Sequence, residues 1–157
     1  MGLILLGATA LLLLAAAVSD LRSRTISNML NGVIALAALP FWLLADYALW
    51  PDVSLQIAAA FGIFLIFFGM FSFGIMGGGD VKMIAAIMLW VPLPMMLPTL
   101  TVMALAGGAL SAIMLIYSKI KSSKDRVEVP YGVAIAIAGL WVLHKHYLNQ
   151  FMINAFA

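Results

Sequence analysis

The sequence predicts an all-α fold, a polytopic membrane protein built as a bundle of six transmembrane helices. Of its 157 residues, 66% are hydrophobic and 9% are charged, and the mean hydropathy is +1.16. An average soluble domain is about 45–50% apolar and about 25% charged. Because a domain of about 150 residues leaves roughly 30% of its chain surface exposed, this composition argues against soluble, disordered and nucleic-acid-binding proteins. The apolar runs are continuous, as helices that cross a bilayer require.

Six apolar segments are candidates to cross the membrane, since a helix needs about 20 apolar residues to do so. In chain order they are Leu3–Val18, Met29–Ala45, Leu55–Gly74, Val81–Leu97, Thr99–Ser118 and Tyr131–Leu148. The boundary at Pro98 is the weakest, because the fourth and fifth segments nearly fuse there. The connectors are short, so residues 1–157 are expected to form one transmembrane domain.

Side-chain types within these segments predict how the helices pack. The phenylalanines of the third segment are expected to face lipid or to pack against neighbouring helices. Small residues let helices approach closely in lipid, so a four-residue spacing of such residues predicts a packing face. The small residues with this spacing are Ala104, Gly108 and Ala112 in the fifth segment and Ala134 and Ala138 in the sixth.

Positive charges predict the orientation. Seven of the eight Lys and Arg residues lie in the connectors Asp20–Asn28, Gly77–Lys82 and Lys119–Pro130, which the order of segments places on one side. Lys145 falls on the other side. The positive-inside rule puts these three connectors in the cytoplasm and both termini outside. The first segment has no positive residues before it, which favours an anchored helix over a cleaved signal peptide.

Two of the six acidic residues are candidates for chemistry. Asp20 follows the first apolar run and Asp80 opens the fourth, so both are expected at the cytoplasmic face. Ionisable residues at membrane segments are functional candidates, although a boundary residue or a helix cap would explain each one alone. The other four lie in connectors, where solvation or local charge balance explains them: Asp46, Asp52, Asp125 and Glu128. With no Cys and two His, we expect no metal and no cofactor.

Three glycines, Gly77, Gly78 and Gly79, directly precede Asp80. Glycine permits positive φ and lets another backbone approach closely, as an extended peptide substrate would. A phosphate-binding loop is a poorer interpretation, because no complete phosphate-binding motif is present and the acid would repel an anion.

These residues resemble the motifs of the type IV prepilin peptidase family of membrane aspartic proteases. Gly77–Lys82 is similar to the family's G-x-G-D-x-K motif, Asp20–Asn28 to its first aspartate motif, and Pro130–Ala134 to its late Pro-x-Gly-x-Ala segment. The resemblance covers residues 3 to about 145. Ser27 stands where the family usually has Pro, and the chain has no Cys for the zinc-binding domain of longer members. It therefore resembles the short peptidase-only members that serve tight-adherence (Tad/Flp) pili.

The resemblance implies an aspartic endopeptidase, without N-methyltransferase activity, in the bacterial inner membrane. Its partners would be the lipid bilayer and a prepilin or pilin-like precursor with a short basic leader and a hydrophobic helix. Asp20 and Asp80 would form the catalytic dyad at the cytoplasmic face. The site-shaping or substrate-binding residues would be Gly77, Gly78, Gly79, Lys82, Asn28, Pro130 and Gly132. Asn28 is also a candidate cap of the second helix, and a boundary role is the simpler interpretation of Lys82.

Two other classes of function remain open at this point. Intramembrane acids also mark ion paths, so a small ion- or proton-coupled transporter is the main alternative. Transporters more often place their acids near the membrane midplane, within inverted repeats. A non-catalytic assembly factor, with Asp80 as a helix cap, is the third interpretation. His144 and His146 are expected at the outer end of the last helix, far from both acids.

Overall fold

The computed structural model describes residues 1–121 and 129–149. Every regular element in this part of the chain is helical. The α-helices are α1 (Gly2–Ser23), α2 (Asn28–Leu36), α3 (Ala38–Leu44), α4 (Ser54–Ser72), α5 (Gly78–Met88), α6 (Leu93–Ile120) and α7 (Tyr131–Val142). Short π-helical segments, Leu49–Val53 and Leu143–Leu148, precede α4 and follow α7. The predicted all-α class is confirmed.

Three helical stretches in the described residues are long and apolar enough to cross a membrane. They are Gly2–Ser23, Leu49–Ser72 and Leu93–Ile120. The other predicted segments form shorter helices: the second is divided at Ala37 into α2 and α3, and α5 and α7 have 11 and 12 residues. The protein is therefore a helical membrane protein. Six crossings and external termini stay predictions.

Helices α5 and α7 form the centre of the bundle. Helix α5 packs against α2, α4 and α7, and α7 packs also against α1 and α6. Most of the side chains of α5 after Asp80 are buried, whereas Phe61, Phe68 and Phe71 of α4 are 44–57% exposed on the outer surface. This placement agrees with the expectation that the phenylalanine-rich segment faces lipid.

The break between α5 and α6 lies earlier than predicted. The sequence placed it at Pro98, but α5 ends at Met88, α6 begins at Leu93, and Pro98 lies inside α6. Pro92 and Pro94 explain the earlier break, because proline disrupts the helix that precedes it but fits the first turn of the helix that follows. A break in a membrane protein leaves backbone carbonyls that need hydrogen-bond donors.

Side chains from three other elements supply those donors. The Gln56 amide donates to the carbonyls of Met88 and Val91, each at 2.6 Å. The Trp42 indole N–H lies 3.2 Å from the Leu89 oxygen, and the Tyr147 hydroxyl lies 2.7 Å from the Trp90 oxygen. Because these donors come from α4, α3 and the segment after α7, they fix the C-terminal end of α5 to the rest of the bundle.

The small-residue faces are confirmed in one helix and wrong in the other. Ala134 and Ala138 of α7 are buried. In α6 the predicted residues Ala104, Gly108 and Ala112 are exposed, and the buried face lies one position earlier, at Met103 and Gly107. A four-residue spacing identifies residues that share one side of a helix. It does not show which side is buried when neighbouring sides both carry small residues. A Cβ on Gly107 would lie 2.9 Å from the Tyr131 ring, which shows where the two helices meet.

Candidate active site

The two candidate acids line one cavity, although 60 positions separate them in the sequence. The cavity has a volume of about 250 Å³ and lies where α1 ends and α5 begins. Its lining residues are Asp20, Arg24, Thr25, Ile26, Gly77, Gly78, Gly79 and Asp80. Two carboxyl groups on one cavity oppose each other's ionisation. The structure therefore brings together the first aspartate motif and the glycine-aspartate motif.

Asp20 is buried in the last turn of α1, with 4% of its surface exposed. Its Oδ2 atom accepts a hydrogen bond of 2.7 Å from the backbone N–H of Gly132. This donor lies in the first turn of α7, where backbone N–H groups lack the carbonyl partner that the helix interior supplies. It also lies at the positive end of the helix dipole. The start of α7 therefore compensates a negative charge on Asp20.

The connector after Asp20 is tied back onto α1. Arg24 ends the helix with a left-handed backbone (φ 54°), and its N–H donates to the Asp20 carbonyl at 3.0 Å. The Ser19 hydroxyl donates to the carbonyl of Thr25 at 2.8 Å. These bonds fix the path of the chain from α1 into the cavity wall.

Asp80 is the third residue of α5, and its side chain lies beside Gly77, the residue that caps the helix: a Cβ on Gly77 would lie 3.1 Å from Asp80 Oδ2. The interpretation of Asp80 as the helix cap is therefore wrong, because the capping residue is Gly77 and Asp80 lies in the first turn. The Asp80 side chain lines the acid cavity.

The three glycines serve close packing rather than unusual backbone angles. None of Gly77, Gly78 and Gly79 has positive φ, so that part of the expectation is wrong. A Cβ added to Gly77 would lie 3.1 Å from the Asp80 carboxylate, and one added to Gly78 would lie 3.2 Å from a phenylalanine ring of α4. A Cβ added to Gly79 would lie 3.4 Å from the backbone oxygen of Ile26. The expected close approach of a second backbone is thus present, and that backbone belongs to the protein itself.

Ile26 links the three motifs, a role that the sequence reasoning missed. It is 7% exposed and packs against Gly79. Its Cδ1 atom lies 2.7 Å from where a Cβ on Gly132 would be. Pro130, also buried, directly precedes α7 and so sets the start of that helix. The available signal was that Ile26 is a large apolar residue among the polar residues that follow Leu21 in its connector.

Asn31 is a second residue that the sequence reasoning missed. It is 4% exposed, and its Nδ2 atom donates to the Gly79 carbonyl at 3.1 Å. This bond connects α2 to the glycine turn that carries Asp80. Asn31 was visible in the sequence as a lone polar residue in the apolar run Met29–Ala45.

Lys82 and Asn28 lie outside the acid cavity. The Lys82 ammonium donates to the Asn28 side-chain oxygen at 2.8 Å, and both residues line a separate groove on the surface of α5. The cap of α2 is Ser27, whose hydroxyl accepts from the Leu30 N–H at 3.2 Å, so the prediction of Asn28 as cap is wrong. The Ser27 hydroxyl accepts a hydrogen bond from one of the backbone N–H groups at the start of α2 that have no partner in the helix. The Asn28 side chain is therefore available to accept a hydrogen bond from Lys82.

The histidines lie at the opposite end of the bundle, as expected. His146 lines a small cavity with Gly2 and Ala45, at the end where α1 begins and α3 ends. Among the described residues, no group of three or more His, Cys, Asp or Glu side chains could hold a metal ion. Four charged residues of the connector Lys119–Pro130, which is predicted to be cytoplasmic, fall outside the described part of the chain; they are Lys124, Asp125, Arg126 and Glu128.

Comparisons with known proteins give a family. Searches of the curated proteins and of the solved structures found no significant match. The model of the type IV leader peptidase family matches residues 7–113, which is more than half of the chain and includes both aspartate motifs. The chain therefore belongs to the type IV leader peptidase family.

Proposed function

We propose that the protein is an aspartic endopeptidase of the membrane that removes the leader peptide of prepilin or pilin-like precursors. Membership of the family supports peptidase activity on a prepilin-like substrate. The observation that carries the catalytic assignment is that Asp20 and Asp80 line one cavity, within reach of each other's charge. The proposal covers peptide hydrolysis and does not include N-methylation of the trimmed product.

In this proposal the two carboxyl groups share one proton. Two close carboxylates are not both ionised at low cost, so they titrate as a pair. We assign the ionised state to Asp20, since the Gly132 N–H at the start of α7 compensates its charge. Asp80 then carries the proton, because the negative charge of Asp20 on the same cavity opposes its ionisation.

The reaction follows from this assignment. Asp20 removes a proton from a water molecule while the Asp80 hydroxyl donates a hydrogen bond, and then its proton, to the scissile carbonyl oxygen. The water oxygen forms a bond to the carbonyl carbon and gives a tetrahedral intermediate. As the C–N bond breaks, the proton on Asp20 passes to the leaving amine and Asp80 recovers its proton from the intermediate. Hydrolysis by this route consumes one water and leaves the dyad unchanged.

The positive charges support cleavage at the cytoplasmic face of a bacterial inner membrane. Arg22 lies in the last turn of α1, Arg24 directly follows that helix and lines the acid cavity, and Lys119 and Lys121 lie at the end of α6. By the positive-inside rule, this end of the bundle belongs in the cytoplasm. Both acids lie at this one end. A transporter more often holds its acids near the membrane midplane, so the placement favours the peptidase over an ion-coupled transporter.

The test is processing of a co-expressed prepilin by single Asp→Asn variants. We expect uncut precursor with Asp20→Asn and with Asp80→Asn at normal protein levels, because each variant removes one member of the dyad. Asp46→Asn and Asp52→Asn, at the opposite end of the bundle, are matched controls and should process normally. Processing by one of the first two variants would remove that residue from the dyad. Processing by both would end the proposal.

A further inference from the structure

A groove separate from the acid cavity runs along the outer surface of α5. Helices α2 and α4 both pack against α5 but make few contacts with each other, so a wedge of open space lies between them. Its volume is about 490 Å³, within the usual range of small-molecule sites, which is roughly 300–1,000 Å³. The groove opens on the surface that would face the membrane.

The walls of the groove are mostly apolar. Each of the three helices contributes residues at positions i, i+3, i+4 and i+7, which form one helix face. They are Asn28, Asn31, Gly32 and Ala35 of α2, Ile57, Ala60, Phe61 and Phe64 of α4, and Lys82, Ala85 and Ala86 of α5 with Leu89, the residue that caps its C-terminal end. The length of such a face is about 10 Å at 1.5 Å per residue. Small side chains on α2 and α5 give the groove its depth.

A single positive charge marks one end of this apolar surface. Lys82 is exposed, and its ammonium group donates to the neutral amide oxygen of Asn28. Within the part of the chain that the structure describes, it forms no ion pair. The acid cavity opens elsewhere, because Asp80 lies two residues, or about 200°, away around α5. The groove therefore combines an apolar channel with a cation that lacks a described anionic partner.

We propose that this groove binds an anionic phospholipid, with an acyl chain between α2 and α4 and the headgroup phosphate on Lys82. The choice of occupant follows from charge. A lysine near the membrane surface attracts anionic headgroups, and an acyl chain is the apolar chain that a membrane supplies to an open groove. A precursor with a basic leader would meet repulsion from Lys82. The inference is independent of the proposed peptidase function.

The test measures binding of phosphatidylglycerol and phosphatidylcholine, with identical acyl chains, to the purified full chain in detergent by native mass spectrometry. We expect the wild type to prefer phosphatidylglycerol. Lys82→Gln should lower affinity for that lipid about fivefold, the effect of one surface cation on an anionic lipid. Lys121→Gln removes the same charge from an exposed residue outside the groove and should bind like the wild type.

A second pair of variants tests the channel rather than the charge. Ala85→Phe fills the groove and should reduce binding of both lipids, whereas Ala104→Phe adds the same ring to an exposed face of α6 and should not. Thermal unfolding of each variant verifies that it is folded. Equal phosphatidylglycerol affinity in Lys82→Gln and the wild type would overturn the proposal. Two other results would also overturn the proposal, because each would identify another occupant of the groove. One is a dimer of the wild type that Ala85→Phe dissociates, and the other is cross-linking of a photoreactive residue at position 32 to a co-expressed precursor.

Discussion

Replacing Gly132 with alanine tests how α7 positions Asp20. The new Cβ would lie 2.8 Å from Asp20 Oδ2 and 2.7 Å from Ile26 Cδ1, where ordinary contact begins at 3.4 Å. The carboxylate must therefore move by about 0.6 Å, the difference between 3.4 and 2.8 Å. This movement disturbs the 2.7 Å hydrogen bond from the Gly132 N–H.

The size of the effect follows from two separate costs. Overpacking of a well-packed interior usually costs about 1–3 kcal/mol of folding free energy, so the variant should still fold. Displacement of a reacting group by about 1 Å can cost roughly 100-fold in rate. For the smaller movement here we expect kcat to fall at least about tenfold, or about 1.4 kcal/mol of activation free energy, with little change in KM.

The assay is the rate of prepilin cleavage by purified protein, with the free energy of unfolding measured in the same detergent. Gly139→Ala is the matched control: it lies two turns later in α7, and its Cβ would lie 2.9 Å from Leu13 Cδ1 and 3.2 Å from Ile87 Cδ1. It should lose similar stability and keep its rate per folded molecule. If Gly132→Ala cleaved as fast as Gly139→Ala, the positioning of Asp20 by α7 would be refuted.

Three further predictions address the bundle and the dyad. Gln56→Leu leaves two carbonyls at the α5–α6 break without their donor and should lower the free energy of unfolding by at least about 1–3 kcal/mol. Thr101→Val is the control, because the exposed Thr101 hydroxyl donates to the Leu97 carbonyl of its own helix. An equal loss of unfolding free energy in this control would contradict the prediction. Gly107→Ala should destabilise by about 1–3 kcal/mol, because its Cβ meets a tyrosine ring of α7. A Cβ on Gly108 would meet nothing within 4 Å, so Gly108→Ala should stabilise the helix slightly. If Gly107→Ala unfolded at a higher temperature than Gly108→Ala, α6 would pack differently. The cleavage rate should follow a bell-shaped pH profile, since the dyad lacks a base when both acids are protonated and lacks an acid when both are ionised; a rate that rises steadily with pH would argue against a shared proton.

The sequence predicted the helices well because composition and length decide them. Runs of apolar residues are long, and a helix is one of the few backbones that satisfies its own hydrogen bonds in lipid. The position of the α5–α6 break was less predictable. Pro92 and Pro98 look alike in the sequence, and the tertiary donors that stabilise the break come from residues such as Gln56, more than 30 positions away.

The site was predictable where a motif carried the information. Asp20 and Asp80 were selected from the sequence, and the structure places both on one cavity. The supporting residues were harder to find, because their roles depend on contacts between distant elements. Ile26 and Asn31 both contact Gly79, and neither contact leaves a periodic signal in the sequence.

The short length of α5 has a consequence for the position of Asp80. The helix is a rod of 11 residues, held at its C-terminal end by side chains of three neighbouring elements. Insertion of one residue between Lys82 and Met88 would turn the N-terminal tip by about 100° and shift it by about 1.5 Å along its axis. The Asp80 carboxyl group would then point away from Asp20. The arrangement of the two acids therefore requires the length of this rod as strictly as it requires an acid at its tip.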